Sequence, residues 1–326
     1  MQQSWKNDQN QTRSLSVAKL GVNLQILGKT AIPRLAPKLN ISPEIPESRF
    51  LYDMNMKEFD EVVRNVERVL KVILEKADVS WWDIYLNSDI GMERIALAKE
   101  MELDDQDIVL DVGCGRGYFS IAAATESKSV VGIDLMNGSG RANWWSNFYE
   151  GMHELNLADR VSGLKSSATL TPFKSSRFTV AAVVHSIRNF QNKETIKAAL
   201  KEMKRVVVKG GSVILAENIP TPRNKAQEAH LQMFNCKVKY ATGELSYPQK
   251  EELIEWFQKV GFRGIEIKEL NYNLIATPPL FCLDYYLSPL SEIQKHNARA
   301  AYDQAISMIH TWGETSPPTL LVKARK

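Results

Sequence analysis

The chain has 326 residues, of which 44% are apolar and 24% charged, and a formal net charge of +3. That composition is globular, large enough to bury a sizeable core, and excludes low-complexity and disulfide-stapled classes. The basic excess is too small to point to nucleic acid, and no apolar run approaches the ~20 residues that cross a bilayer.

Residues 1–45 read as a basic extension: Lys6, Arg13, Lys19, Lys29, Arg34 and Lys38 meet one acid, Asp8, before Glu44. Pro33, Pro37, Pro43 and Pro46 break any long helix. A flexible extension, an organelle-targeting segment and a segment touching anionic lipid all fit. Residues 46–104 are expected to form a helical cap. Phe59, Val62, Val63, Val66, Val69, Leu70 and Ile73 recur at helical spacing; Ile95, Ala96, Ala98 and Met101 mark a second helix, with Trp81, Trp82 and Tyr85 between them. From residue 107 strands alternate with helices. Residues 108–110, 130–133, 179–184 and 212–216 read as strands, and 193–207 as a helix. Such alternation implies βαβ units and a mostly parallel, doubly wound α/β sheet. Residues 265–274 and 320–324 are late strands, and 290–311 a helix within an insertion, 276–317, before the last strand.

The strongest local signal is Asp111-Val112-Gly113-Cys114-Gly115-Arg116-Gly117, after a strand and opening a helix. Glycines permit a tight turn and close approach of a ligand, and the helix N-terminus offers unpaired N–H groups to a carboxylate or phosphate. A dinucleotide fingerprint would place its third glycine at 118, which is Tyr118. The next strand ends on Asp134, whose carboxylate can accept from both hydroxyls of a ribose.

This loop resembles the first motif of the class I S-adenosylmethionine methyltransferases, and the resemblance runs over about residues 105–275. It implies a Rossmann-like fold, S-adenosylmethionine as cofactor and a cofactor-binding domain over 105–326. Asp111, Gly113, Cys114, Gly115, Gly117, Asp134 and Leu135 would then line the cofactor site, with Cys114 a small filler. Ser166 to Phe173 is similar to the segment that places an acid near adenine. Ser167 stands where that acid is common, so Ser167 and Ala168 would meet the adenine, and Thr179 stands at a second usual acid. His185-Ser186-Ile187-Arg188-Asn189 is similar to quinone-ring C-methyltransferases.

His185 ends the fourth strand. It is read either as the base that removes an acceptor proton or as a residue that shapes the cofactor pocket by hydrogen bonding. Arg188 could hold an oxyanion or pair with a loop, and His230 and Tyr240 could line the acceptor site. Trp81, Trp82, Phe234, Phe281, Tyr285 and Tyr286 suit a small, partly apolar acceptor such as a lipid, quinone or natural product. A protein or RNA methyltransferase and a silent cofactor-binding regulator are the alternatives. Cys114, Cys236 and Cys282 are far apart with no C-x-x-C pair, so no metal site is expected and a reducing, cytoplasmic setting fits, with membrane-peripheral or organelle placement left to the N-terminus.

Overall fold

The computed structural model describes residues 28–43, 45–136, 144–242, 245–275, 282–288 and 290–326. The expectations placed on residues 1–27 and on Phe281 lie outside these.

Residues 28–35 are helical and run into a 3-10 turn, Ala36–Leu39. Ala31, Ile32, Leu35 and Ala36 are buried in one cluster with Val66, Leu70 and Ile73. The expected extension over 1–45 is corrected here: residues 28–39 carry enough apolar side chains on one face to pack into the body. Helix α1 (Met56–Lys76) starts at a capping box, where Asn55 Oδ1 accepts from the Lys57 and Glu58 amides at 3.0 Å and Glu58 Oε2 accepts from the Asn55 amide. Phe59, Val66, Leu70 and Ile73 form its buried stripe. Helices α2 (Trp81–Asn87) and α3 (Asp89–Glu100) follow, capped by Ser80 and Ser88. Leu97, Ala98 and Met101 of this region share a cluster with Val109 and Ala122, so these helices continue the core of the sheet rather than enclosing one of their own.

Seven strands form one sheet in the order β3-β2-β1-β4-β5-β7-β6. They are β1 (Ile108–Val112), β2 (Ser129–Asp134), β3 (Val161–Lys165), β4 (Phe178–Val184), β5 (Val207–Asn218), β6 (Arg263–Leu270) and β7 (Thr319–Arg325). The first five pair in parallel, and β7 inserts antiparallel between β5 and β6. Helices α4 (Tyr118–Glu126), α5 (Trp144–Glu154), α6 (Lys193–Val206), α7 (Lys225–Lys237), α8 (Lys250–Val260), α9 (Leu283–Leu287) and α10 (Glu292–Trp312) complete the fold.

The central strands are apolar on both faces because both are covered. Along β4, Val180, Ala182 and Val184 join the cluster of α4 and α5, while Ala181 and Val183 join that of α6 and α8. A third cluster holds α7, α9 and α10 together through Met233, Tyr286, Tyr302 and Ala305.

Replacing Ile32 by Ala removes a fully buried side chain from the segment first read as an extension. Urea denaturation is expected to show a loss of about 2–5 kcal/mol with the m-value unchanged.

Candidate functional site

The carboxyl ends of β1, β2 and β4 surround a cavity of about 330 Å3. Its floor is the glycine turn. Gly113 sits at φ +74, and a Cβ there would collide with Ser186 Oγ at the end of β4. Gly117 sits at φ +85 and caps α4; a Cβ would lie 2.7 Å from Met152 Cε. Both positions therefore need glycine for conformation and for space. The turn is tied to β2: the Gly113 and Cys114 amides donate to Ile133 O at 2.8 and 3.1 Å.

Asp134 closes the same seam. Its Oδ2 accepts from the Gly115 amide at 3.0 Å and its Oδ1 from the Met136 amide at 2.7 Å. Each carboxylate oxygen keeps a second lone pair for a ligand hydroxyl. Asp111 is 1% exposed and accepts from Ser120 Oγ at 2.6 Å. Burial pushes its carboxyl up to about 7, against the Ser120 hydrogen bond and with the repulsion of Asp134. Leu135 and Ala168 line the cavity as expected. Ser167 does not: its hydroxyl is turned back on Thr169, 2.9 Å from that hydroxyl and 3.2 Å from its amide, and Ser166 lines the cavity in its place. Extended backbone sends successive side chains to opposite sides, so Ser166 borders the cavity where Ser167 turns away.

His185 lines the cavity, yet the role of direct base is corrected by its contacts. Nε2 is 2.6 Å from Glu93 Oε1 and Nδ1 is 3.1 Å from Glu217 Oε1, so both ring nitrogens are held by carboxylates. Burial, then the nearby Arg94 charge, bring the imidazolium down to about 4. Burial, the largest single influence, would raise the Glu217 carboxyl, but the His185 contact, the Arg188 charge and the Asn218 amide together hold it below its ordinary range. Neither ring nitrogen is left free to take a proton from an acceptor. Glu93 also pairs with Arg94. His185 has φ +48, uncommon for a non-glycine residue, and its amide donates to Ala216 O at 2.8 Å. It is placed to fix the pocket wall, the second of its two sequence readings.

Arg188 stands on the 3-10 turn Ile187–Asn189 and lines this cavity and a neighbouring one of about 260 Å3. Its guanidinium lies 5.5 Å from the Phe234 ring centre and 5.6 Å from that of Tyr247. His230 lines neither cavity but bonds to Tyr247, which lines the second. Tyr240 is corrected: it belongs to a π-helical turn, Val238–Thr242, and packs 6.2 Å from the Tyr302 ring, away from both cavities. The sequence reading missed Glu93, Arg94, Glu217 and Tyr247. An acid at the end of β5 was the available signal for Glu217; the charges of α3 read as a solvated face.

A sheet of order 3-2-1-4-5-7-6, with a glycine turn after its first strand and an acid at the tip of its second, is the arrangement of class I S-adenosylmethionine methyltransferases. The family model described as "Methyltransferase domain" matches residues 82–267, more than half of the chain, and the chain belongs to that family. It is 24% identical over 237 residues to a demethylmenaquinone methyltransferase of Lactiplantibacillus plantarum, covering 67% of this chain and 91% of that protein. A sterol 4-C-methyltransferase of Caenorhabditis elegans is 24% identical over 158 residues, 48% of this chain and 45% of its own length. Among solved structures, a cyclopropane-fatty-acyl-phospholipid synthase-like protein of Lactobacillus casei superposes with a TM-score of 0.56 at 17% identity, over 76% of this chain and 94% of that one.

The two buried groups oppose each other in their effect on stability. As pH falls from 6.5 toward 4 the unfolded chain protonates His185 and the folded chain does not, so stability is lost. As pH falls from about 7 toward 3.8 the folded chain protonates Asp111 first, so stability is gained. Denaturation midpoints followed from pH 7 to pH 5 are expected to rise in His185→Gln relative to wild type, and to fall more steeply than wild type in Asp111→Asn.

Proposed function

We propose that the chain transfers a methyl group from S-adenosylmethionine to a small, partly apolar acceptor of lipid, quinone or natural-product kind. The observation that carries this reading is one cavity in which the glycine turn, Asp134 and Arg188 face a common space. The cofactor's sulfonium supplies an activated methyl group. The residues present fit it. The N-terminus of α4 would hold its carboxylate, and Asp111 its ammonium. Asp134 would accept from the ribose hydroxyls, and Leu135, Ser166 and Ala168 would border the adenine. Cys114 fills the space beneath, its sulfur packed toward Gly132.

On this reading residues 105–326 form the catalytic part and 46–104 the cap over it. Arg188 holds the acceptor, while Glu93, His185 and Glu217 keep the wall beside it rigid. The relatives named above support a ring-bearing acceptor. Three free cysteines, all buried, support a reducing, cytoplasmic compartment. Among the described residues no helix is long and apolar enough to cross a membrane, and no group of His, Cys, Asp and Glu is arranged to hold a metal ion.

Incubation with methyl-labelled S-adenosylmethionine and a metabolite extract is expected to label a small, extractable product. Label only in protein or RNA would overturn the acceptor class, and binding without any transfer would favour a regulatory role. Calorimetry with S-adenosylmethionine gives a second test. Asp134→Asn is expected to weaken binding about tenfold or more, because a charged acceptor is lost. Wild-type affinity should rise as pH climbs through about 7, where Asp111 becomes the carboxylate that a cationic ligand prefers. Asp111→Asn should bind weakly with no such rise.

A further inference from the structure

Behind Arg188 lies a chain of hydrogen-bonding side chains that the cofactor site does not use. Tyr247 Oη is 3.4 Å from Arg188 Nη1 and 3.2 Å from His230 Nε2. His230 Nδ1 is 3.1 Å from Glu314 Oε1, and Tyr52 donates to Glu314 Oε2 at 3.1 Å. Tyr247, His230, Glu314 and Tyr52 are all buried. They come from four separate places: the loop before α8, helix α7, the segment after α10 and the turn Ser48–Asp53. Phe234 stacks on Tyr247 with ring centres 4.0 Å apart and holds the phenol in place.

The order of groups is a hydroxyl, an imidazole and a carboxylate. In such a row the carboxylate fixes the tautomer and steadies the imidazolium that forms when the hydroxyl gives up its proton. Burial alone would raise the Glu314 carboxyl, but the His230 hydrogen bond, the Lys237 charge and the Tyr52 hydrogen bond hold it below its ordinary range. Glu314 is thus a carboxylate, Nδ1–H of His230 donates to it, and Nε2 is left to accept from Tyr247. Tyr247 in turn borders the 260 Å3 cavity, whose walls include the apolar Ile187, Ile196, Leu245 and Trp256 and the charged Arg188, Lys193 and Glu252, the last two paired with each other. Arg188 lines both this cavity and the cofactor cavity.

We propose that Tyr247 is a catalytic residue that takes the proton of a ring hydroxyl on the acceptor, with His230 and Glu314 as the positioning residues that draw the proton onward. This rests on the methyltransferase reading above. The acceptor's O–H bond breaks and its electron pair stays on the acceptor oxygen, beside the Arg188 guanidinium. That proton forms a new O–H bond at Tyr247 Oη while the former Tyr247 proton moves to His230 Nε2. The imidazolium is paired with Glu314, and no oxidant or further reactant is needed.

The test uses 4-nitrophenol as probe, with the full chain, in the presence and absence of S-adenosylhomocysteine and at a pH below the probe's own pKa. The wild type is expected to bind the probe as its yellow phenolate. Calorimetry in buffers of different ionisation enthalpy should show no net proton released, since the proton stays on His230. In Tyr247→Phe and His230→Gln the probe should bind as the neutral phenol, or as phenolate with one proton released, at unchanged affinity for S-adenosylhomocysteine. Glu314→Gln should lower the phenolate fraction. Wild-type binding as neutral phenol, full proton release, no binding of the probe, or variants identical to wild type would each overturn the proposal. Failure of S-adenosylhomocysteine to bind, with the probe behaving as expected, would sink the cofactor reading and leave the relay standing.

Discussion

The missing side chain at Gly113 lets the end of β1 lie against Ser186 at the end of β4. Everything in the cavity depends on that closeness. It brings the glycine turn, the tip of β2 and the turn bearing Arg188 around one space, although they are far apart in sequence. The Asp134 carboxylate completes the closure by accepting from the Gly115 and Met136 amides. A carboxylate held by two backbone donors cannot swing, so the acceptor lone pairs it still offers point in set directions before any ligand arrives. This is preorganisation, and it shifts the entropy of ordering the site from binding to folding.

The second constraint is charge. Glu93, Arg94, His185 and Glu217 are buried together where α3 meets the ends of β4 and β5. Removing ions from water costs more than their mutual attraction returns unless each finds a partner. Here the partners come from three elements, so the pairs form only when cap and sheet are in register. An apolar set of similar volume would stabilise the fold at least as well. The charged one makes the position of α3 specific, and α3 supplies Arg94 to the cavity wall.

What could be read in advance follows from this geometry. β1, the glycine turn and β4 were legible because central strands buried on both faces are continuous apolar runs. β3 was not, because it is the sheet edge: Val161 is buried, but Leu164 and Lys165 face solvent and leave no apolar pattern. The late strands were recognised, yet their antiparallel pairing was not, since direction is set by the long connection through α9 and α10 rather than by the strands. The motif pointed to most of the residues that line the cavity, with Ser166 rather than Ser167 bordering it because alternation past the end of a strand is set by a single residue. Glu93 and Arg94 were invisible for another reason. A helix rich in charge reads as a surface, and only the sheet ends opposite it show that this face is interior. Tyr240 and Tyr247 differ by seven residues with no periodicity between them, and nothing short of the packed loop says which reaches Arg188.

The balance of charge at the cavity bears on what the acceptor must bring. Arg94, Arg116 and Arg188 all border it, against the carboxylates of Asp111 and Asp134. Burial keeps Asp111 half neutral near pH 7. On the proposed reading a sulfonium cofactor with an ammonium and a carboxylate would add one net positive charge beside these arginines, of which Arg94 is paired with Glu93. Placing that charge near Arg188 with nothing between them is unfavourable, most of all where water is excluded. A neutral acceptor leaves the repulsion in place, whereas an acceptor that carries an oxyanion relieves it and lowers the cost of holding both ligands at once. On that proposal the anion would be most useful if it formed only inside the site, because a phenol leaves water at less desolvation cost than a phenolate. On the relay proposed above, Arg188 and the proton acceptor behind it would be two parts of one arrangement.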